Sequence, residues 1–564
     1  MRLALAGQTY NARTLAASAQ ACINAYPERI EDPQETAKGG ALLIGCPGKH
    51  LFAALGGTVG TPMRGIWSGG GRLWYAGGTH YAEISPAGAV VGSVRTIADD
   101  ASHSPVLFFA NGNQLFIVSA GHAYCDNGAG PVEITLPTLS GTATALDFFV
   151  DWVSGDQFNS GLVGKTITVD GNTRTVLQVL GPTTLTVTAT FGGLVSGDFT
   201  TQAPSLAVSS GAYGDGYFIV SVANSRQFNI SPLFNGIGDA GDGVWNPLDF
   251  GVKESYPDYI RSILWSNEQL YLFGTDSFEV WQNIGSQVSN GVATFPFQRI
   301  EGATGKYGNV SPNSPIAIGG QVFFLGGDST GQTCAYVLAG FTPKRISTYA
   351  IESQWTNALL GEGAVSASYQ EEGHTFWEIS FGSGQLTWVY DLTTGAWHQR
   401  GTYTAGNFGP YGRTFHTFIT NSTSSANDWG AGGKHLVGGD GTGNVYQQSL
   451  NFYDDAGSDI TGQRALPYLY NGGNRMYFGR MTLDVQTGTT TGATPSIVRE
   501  YSDDHGSTWK TPQSASLGAT SDTSKRVFWP VAGSSFGRVY RFTWTSSAKI
   551  GFVTCDHEVV NGVT

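Results

Sequence analysis

Apolar and polar positions alternate along most of this chain in short runs, and glycine punctuates the runs. A period of two marks half-buried strands, and glycine with Asp, Asn or Ser between them marks tight turns. One unit recurs: a strand, a turn, an aromatic-rich strand, a Gly-bearing turn and a further short strand. It runs over Arg64–Ile84 and Val106–Tyr124, returns at Gly216–Ser221, and is fullest in Ile263–Trp281. Further copies span Ile316–Leu338, Val365–Trp397 and, in shorter form, Lys434–Tyr446. Uninterrupted copies return every ~40–50 residues, the spacing of a four-stranded propeller blade. Each copy makes a sheet with two apolar faces and no partner of its own. Packing such sheets around an axis buries both faces and leaves only short edges.

The predicted fold is therefore all-β: a six- or seven-bladed β-propeller with an inserted small β module and a C-terminal antiparallel β-sandwich. A string of independent β-sandwiches is the competing arrangement. The expected units are an extended N-terminal docking segment at 1–61, the first blades at 62–139, a small β-barrel or hairpin module at 140–205, the remaining blades at 206–462, and the sandwich at 463–564. Within the module, Gly161–Val179 reads as two alternating strands around an Asp170-Gly171 turn, and Thr184–Ala189 supplies a third. Polar, Gly-rich stretches at Asn421–Gly433 and Asp454–Gly462 break the last blade and precede the sandwich. From Gln463 the strands lengthen, as in Arg475–Val485 and Arg538–Trp544. Helical periodicity is nearly absent, and only Ala12–Cys22 could pass for a short helix.

Composition fits many short strands. Glycine supplies 79 of 564 residues, about twice its ordinary share, and charged residues only 13%, about half theirs. No Gly-X-Y period occurs, which excludes collagen. Thirty basic against 43 acidic residues leave a net charge of −13. A phosphate-gripping protein draws its affinity from a basic surface, so this balance suits a conduit for DNA better than a clamp on it. The five cysteines, Cys22, Cys46, Cys125, Cys334 and Cys555, lie far apart in odd number without ligand spacing. They read as buried thiols in a chain made in a reducing cytoplasm, not as a zinc site or disulfide framework. The first residues lack the apolar run of a signal peptide, and no stretch approaches the ~18 apolar residues of a membrane helix.

Candidate chemistry resolves into turns. Ser502-Asp-Asp-His-Gly-Ser-Thr-Trp509 matches the Asp-box pattern, in which Asp504 accepts turn N–H groups, Gly506 takes an unusual backbone angle and Trp509 packs beneath. Val389–Trp397 resembles the strand-turn-strand of kelch-type blades, with Asp391 closing the turn, Gly395 relaxing it and Trp397 packing between blades. The acidic loops at Asp239 and Asp440 lack the terminal Glu of a calcium loop, and the Gly-rich stretches at Gly69 and Gly319 lack a following Lys-Ser/Thr. No nucleophile elbow, metal-binding His pair or paired-acid motif stands out, so neither catalysis nor a cofactor is expected.

The N-terminal text is distinctive: Gln20-Ala-Cys-Ile-Asn-Ala-Tyr-Pro-Glu28, then Gly39-Gly-Ala-Leu-Leu-Ile-Gly-Cys-Pro-Gly48, then Met63-Arg-Gly-Ile-Trp67. With its Asn-x-Tyr-Pro-Glu phrase and Pro-Gly turn, it resembles the packaged-DNA-stabilisation proteins of short-tailed phages, also called tail hub or nozzle proteins. The likeness covers the first 80 or so residues in motif and most of the chain in layout; the module at 140–205 departs from it. The resemblance implies a non-enzymatic virion protein, made in the host bacterial cytoplasm. It would form a hexameric ring below the portal and adaptor and contact other tail proteins. Such a ring retains packaged double-stranded DNA and passes it at ejection without sequence-specific binding or membrane insertion. Tyr26, Pro27, Pro47 and Gly48 would form a lead-in segment docking on a neighbour. Two other classes compete: a glycan-binding or glycan-cleaving propeller, and a kelch- or WD-like scaffold.

Overall fold

The computed structural model describes residues 1–30, 40–286, 288–289, 292–327, 333–355, 363–381, 386–423, 425–487, 495–518 and 525–562. Within them the chain forms seven antiparallel blades around one axis. Their innermost strands are Met63–Gly69, Leu107–Ala110, Val208–Gly214, Ile260–Ser266, Ile316–Ile318, Val365–Glu371 and Phe415–Ile419. Each touches the next, and the seventh touches the first, so the wheel is closed.

Many blades turn from their first to their second strand through two residues with positive φ. Gly70-Gly71, Asp215-Gly216 and Gly319-Gly320 are examples. Such turns match the twist of paired strands and require left-handed backbone at both positions, which accounts for the recurring Gly and Asp. Between blades the apolar faces interlock. Phe323 and Leu325 of blade five pack against Trp377, Ile379, Trp388 and Trp397 of blade six.

Blade seven is completed from the far end of the chain. Gly48–Ala54 pairs antiparallel with Asn444–Ser449, from Ser449↔Gly48 to Asn444↔Ala54 with a shift of register between Tyr446 and Val445. The Asn421–Gly433 stretch, with residue 424 outside the described residues, is a loop within this blade. It seats buried Trp429, whose Nε1 donates to Gly71 O of blade one at 2.9 Å.

The inserted module is a closed six-stranded barrel running from Ser140–Leu146 to Val195–Thr201. Its core is apolar throughout, with Val150, Leu162, Ile167, Leu185 and Phe199 among its members. It leaves after the outer strand of blade two, Pro131–Glu133, and rejoins at the inner strand of blade three. The sandwich is a composite. One sheet carries Met476–Thr487 and Ile550–Asn561 together with the N-terminal strands Ala25–Arg29 and Ala41–Gly45. In the other sheet, Ala19–Ile23 pairs with Ser458–Ala465 and, parallel, with the outer strand of blade six, Ala396–Arg400. Leu3, Leu5, Cys22 and Leu43 sit in the sandwich core beside Phe478, Phe542 and Trp544.

Two expectations change. Ala12–Cys22 is not helical; it leads into the strand Ala19–Ile23, whose sheet partners satisfy its backbone. The α-helix among the described residues is instead Tyr349–Trp355, held between blades five and six by buried Ile351 and Trp355. The N-terminal residues, expected as a docking segment reaching outward, are woven into the chain's own wheel and sandwich.

Candidate functional site

The wheel's axis, its closing seam and the sandwich hairpin hold the residues singled out by sequence. The axial space consists of cavities of about 680 and 480 Å³, lined by inner-strand residues such as Leu107, Val208, Val365 and Phe415.

At the seam, blades six and seven meet the N-terminal strands. Tyr26 is buried there, its ring 5.1 Å from His374, 5.3 Å from Phe376 and 5.9 Å from His398. Pro27 is buried beside it. Pro47 O accepts from Arg400 Nη2 at 2.8 Å, and that nitrogen also reaches Tyr411 Oη at 2.6 Å. Gly48 lies so close to the backbone of Phe452 and Asp454 that a Cβ would fall 2.2 Å from Asp454 O. All four are therefore engaged inside the chain, where the resemblance placed them on a neighbour.

Asp391 joins the same neighbourhood. Its Oδ2 meets His374 Nδ1 at 2.8 Å and accepts from Thr394 Oγ1 at 2.6 Å, while Oδ1 accepts from Thr393 N at 3.0 Å. Burial pushes this carboxyl up, but the His374 and Thr394 bonds outweigh it and hold it below its usual value. Trp397 lies on the other face of the blade, its Nε1 donating to Ile346 O at 3.0 Å.

Sequence reading missed the charged residues around them, because they are scattered over separate strands with no spacing signal. Arg413 is buried and pairs with Glu378 Oε2 and with Gln448 Oε1. Its Nη2 lies 2.9 Å from His416 Nδ1, and His416 Nε2 lies 3.2 Å from His435 Nδ1. Arginine only donates, so His416 Nδ1 accepts, its proton sits on Nε2, and it donates to His435. Burial opposes ionising Glu378, yet the Arg413 guanidinium paired with it holds its carboxyl at about 2. Burial drives His416 down to about 3, His398 to about 3, with Arg400 adding to the effect, and His435 to about 4. All three are neutral near pH 7. Both ring nitrogens of His398, Arg400 Nε and Nη1 and Tyr369 Oη find no hydrogen-bond partner among the described residues. The seam is thus an expensive junction, built from ionised groups shut away from water.

The Asp-box residues lie apart, in the hairpin between Ser496–Ser502 and Lys510–Ser516. Asp504 Oδ1 accepts from Ser502 Oγ at 2.6 Å and Thr508 N at 2.8 Å, and these bonds with Thr508 Oγ1 hold its carboxyl below the usual range. Gly506 has φ +92°. Trp509 is half-buried and carries the Arg541 guanidinium 4.1 Å above its ring, while the ring's edge stays against the turn, 3.6 Å from where a Cβ on Gly506 would lie. All five cysteines are buried and free. Among the described residues no group of three or more His, Cys, Asp or Glu could hold a metal ion, and no helix is long and apolar enough to cross a membrane.

Two family models match. Residues 152–436 match the β-propeller of Bacteriophage P22 Gp10, a range that takes in most of the inserted barrel, and residues 463–560 match the Bacteriophage P22 Gp10 β-sandwich. No curated protein matches at a significant level. Among solved structures, the Neurospora crassa Pan2 WD40 domain is 11% identical, covering 69% of this chain and 89% of that one with a TM-score of 0.26. YCF48 from Cyanidioschyzon merolae is 10% identical, covering 77% of this chain and 96% of that one with a TM-score of 0.25. Scores this low carry no argument.

Proposed function

Because the chain belongs to the Bacteriophage P22 Gp10 family, matched through both propeller and sandwich in chain order, we propose that it is a structural protein of a phage tail and a subunit of the nozzle that retains packaged DNA. The two-part family match carries this reading. Several copies, six in the arrangement the sequence resemblance implies, surround a bore below the portal and adaptor. In this reading the bore lies between subunits and not along the wheel's own axis. An acidic body, net −13, lines a passage without gripping the phosphate backbone, so DNA is held by steric closure and slides when the tail opens. The closed wheel supplies the stiffness, and its seam locks the N-terminal strands that the sandwich also uses. The partners are copies of the same chain, the adaptor and neighbouring tail proteins.

A sugar-directed role finds less support. The cleft between blades one and two offers Trp67, Trp74, Arg72, Gln114 and Asp126. Its polar groups are already engaged: Arg72 with Glu83, Gln114 with Gly236, Asp126 with Tyr81 and Arg95. The lone Asp box is a turn in the sandwich, outside the wheel.

The test is to produce phage particles with the gene for this chain silenced. Heads should fill and then lose their DNA, read as nuclease-sensitive genome and tails lacking their distal ring. Complete particles that keep their DNA without the chain would overturn the reading.

A further inference from the structure

Two exposed apolar surfaces of opposite charge stand almost across the wheel from each other. We propose that they form a head-to-tail interface, in which the inserted barrel of one copy seats on the sandwich face of the next. The inference deepens the tail-ring reading and rests on it for its setting.

The first surface is the barrel tip. Leu146, Phe148, Phe149 and Leu194 are exposed there, with Leu177 beside them on the adjoining strands. The connections hold them together: Val195 pairs with Ala145, Phe149 with Thr186, and Val187 N donates to Phe148 O at 2.9 Å. A barrel closed on its own apolar core has no structural need for these side chains outside. Exposed Asp147 and Asp151 lie among them. Residues 140–205 carry five aspartates against Lys165 and Arg174. Lys165 is paired with Glu133 at 3.0 Å, and Arg174 is tied to the carbonyls of Thr173 and Thr190.

The second surface is the outer face of the sandwich sheet. Tyr477 pairs with Val560, and both are exposed together with Phe528, Val531 and Phe536. Cations stack on those rings: Arg475 lies 4.7 Å above Phe536, and Arg480 lies 4.3 Å above Phe528, while the carboxylates of the same face are already engaged, Asp484 by Arg526, Asp556 by Arg2 and Glu558 by Arg480 N. Residues 463–564 carry ten Lys and Arg against seven Asp and Glu, a positive unit in a chain of net −13. An apolar tip set with carboxylates and an apolar face set with guanidiniums are complementary in both terms.

Their placement decides the partner. The barrel leaves the rim between blades two and three, and the sandwich is joined to the outer strands of blades six and seven. Three blade positions separate them by the shorter way round the wheel, so one copy does not bring its tip onto its own face. The two halves of the contact are different surfaces, which makes it heterologous; such contacts repeat around a ring when the rotation closes. A second copy of this chain is the occupant that supplies both halves.

The experiment uses the full chain and two double charge reversals at exposed positions, Asp147→Lys with Asp151→Lys, and Arg475→Glu with Arg480→Glu. Sedimentation velocity over a concentration series should show the wild type associating, less so as salt is raised. Each reversal alone should weaken association at least ~10-fold by placing like charges opposite each other, with an unchanged melting curve. An equimolar mixture of the two variants should restore it, since each then offers a matching surface to the other. A wild type monomeric at every concentration, association indifferent to either reversal, or a mixture that fails to recover overturns the interface. Rings that form through other surfaces leave the tail role standing. Self-association through these surfaces in a chain absent from purified virions leaves the interface and removes the tail role.

Discussion

The inserted barrel and the wheel are both closed β-structures, but they close in different ways. The barrel joins six strands from one contiguous stretch, around Val150, Ile167 and Leu185, with neither a histidine nor a cysteine in residues 140–205. The wheel closes only when Gly48–Ala54 reaches Asn444–Ser449, and the seam beneath is built from Glu378, Arg413, Arg400 and three neutral histidines. Local closure needs little chain entropy and tolerates a simple apolar core. Long-range closure needs a reason to choose one partner strand among many similar ones. Buried ionic contacts add little net stability, but they penalise the wrong register severely, because each mispairing strands a charge. The seam's role in register is a hypothesis for this chain, and the contrast with the barrel makes it testable.

Acid should separate the two regions most. His398, His416 and His435 have folded values well below the ordinary 6.5, so the unfolded chain binds protons that the seam refuses. The stability they contribute is fully present above about pH 6.5 and declines as pH falls toward 4 and 3, by as much as ~1.4 kcal/mol per pH unit for each histidine. Depression of the Glu378 carboxyl adds a further loss as pH falls below its ordinary value toward 2. Hydrogen exchange at pH 7 and 4.5 should show blades six and seven losing protection while the barrel keeps it. Equal loss in both would remove the seam from the account.

Arg413→Leu follows in size. It leaves Glu378 buried without its cation and should destabilise the wheel by about 3–5 kcal/mol. A lowered denaturant midpoint in Trp fluorescence, with amide protection of the barrel unchanged, is the expected result. Replacing Glu378 and Arg413 together by Gln and Leu should recover part of that loss, whereas a pair worth nothing would give no change in either variant.

The smallest effect belongs to the barrel. Gly171 holds φ +78° in the Asp170-Gly171 turn, where a Cβ meets nothing within 4 Å. Gly171→Ala should therefore cost only backbone strain, about 1 kcal/mol, seen as faster local exchange in the barrel and no change at the seam.

Some of this was readable in advance. The alternation and the aromatic units identify the blades, and Asp170-Gly171 and Asp215-Gly216 identify turns, because strand periodicity and left-handed backbone are local demands. Trp397 between blades follows from the same logic. The sequence does not decide between six and seven blades because a quarter of the seventh comes from Gly48–Ala54, near the other end of the chain. Arg413, Glu378, His416 and His435 were missed, since each is an ordinary polar residue on its own strand and acquires meaning only from the strands packed against it.

The sequence by itself determined that this chain makes strands, where they turn and which faces they bury, since those follow from side-chain alternation and the steric freedom of glycine. The tertiary structure decided how many blades the wheel has, that its N-terminus lies inward in both wheel and sandwich, and which charges share a dry seam. Those features depend on pairings between residues hundreds of positions apart, which local preference leaves open and which burial and electrostatics settle only once the chain has closed.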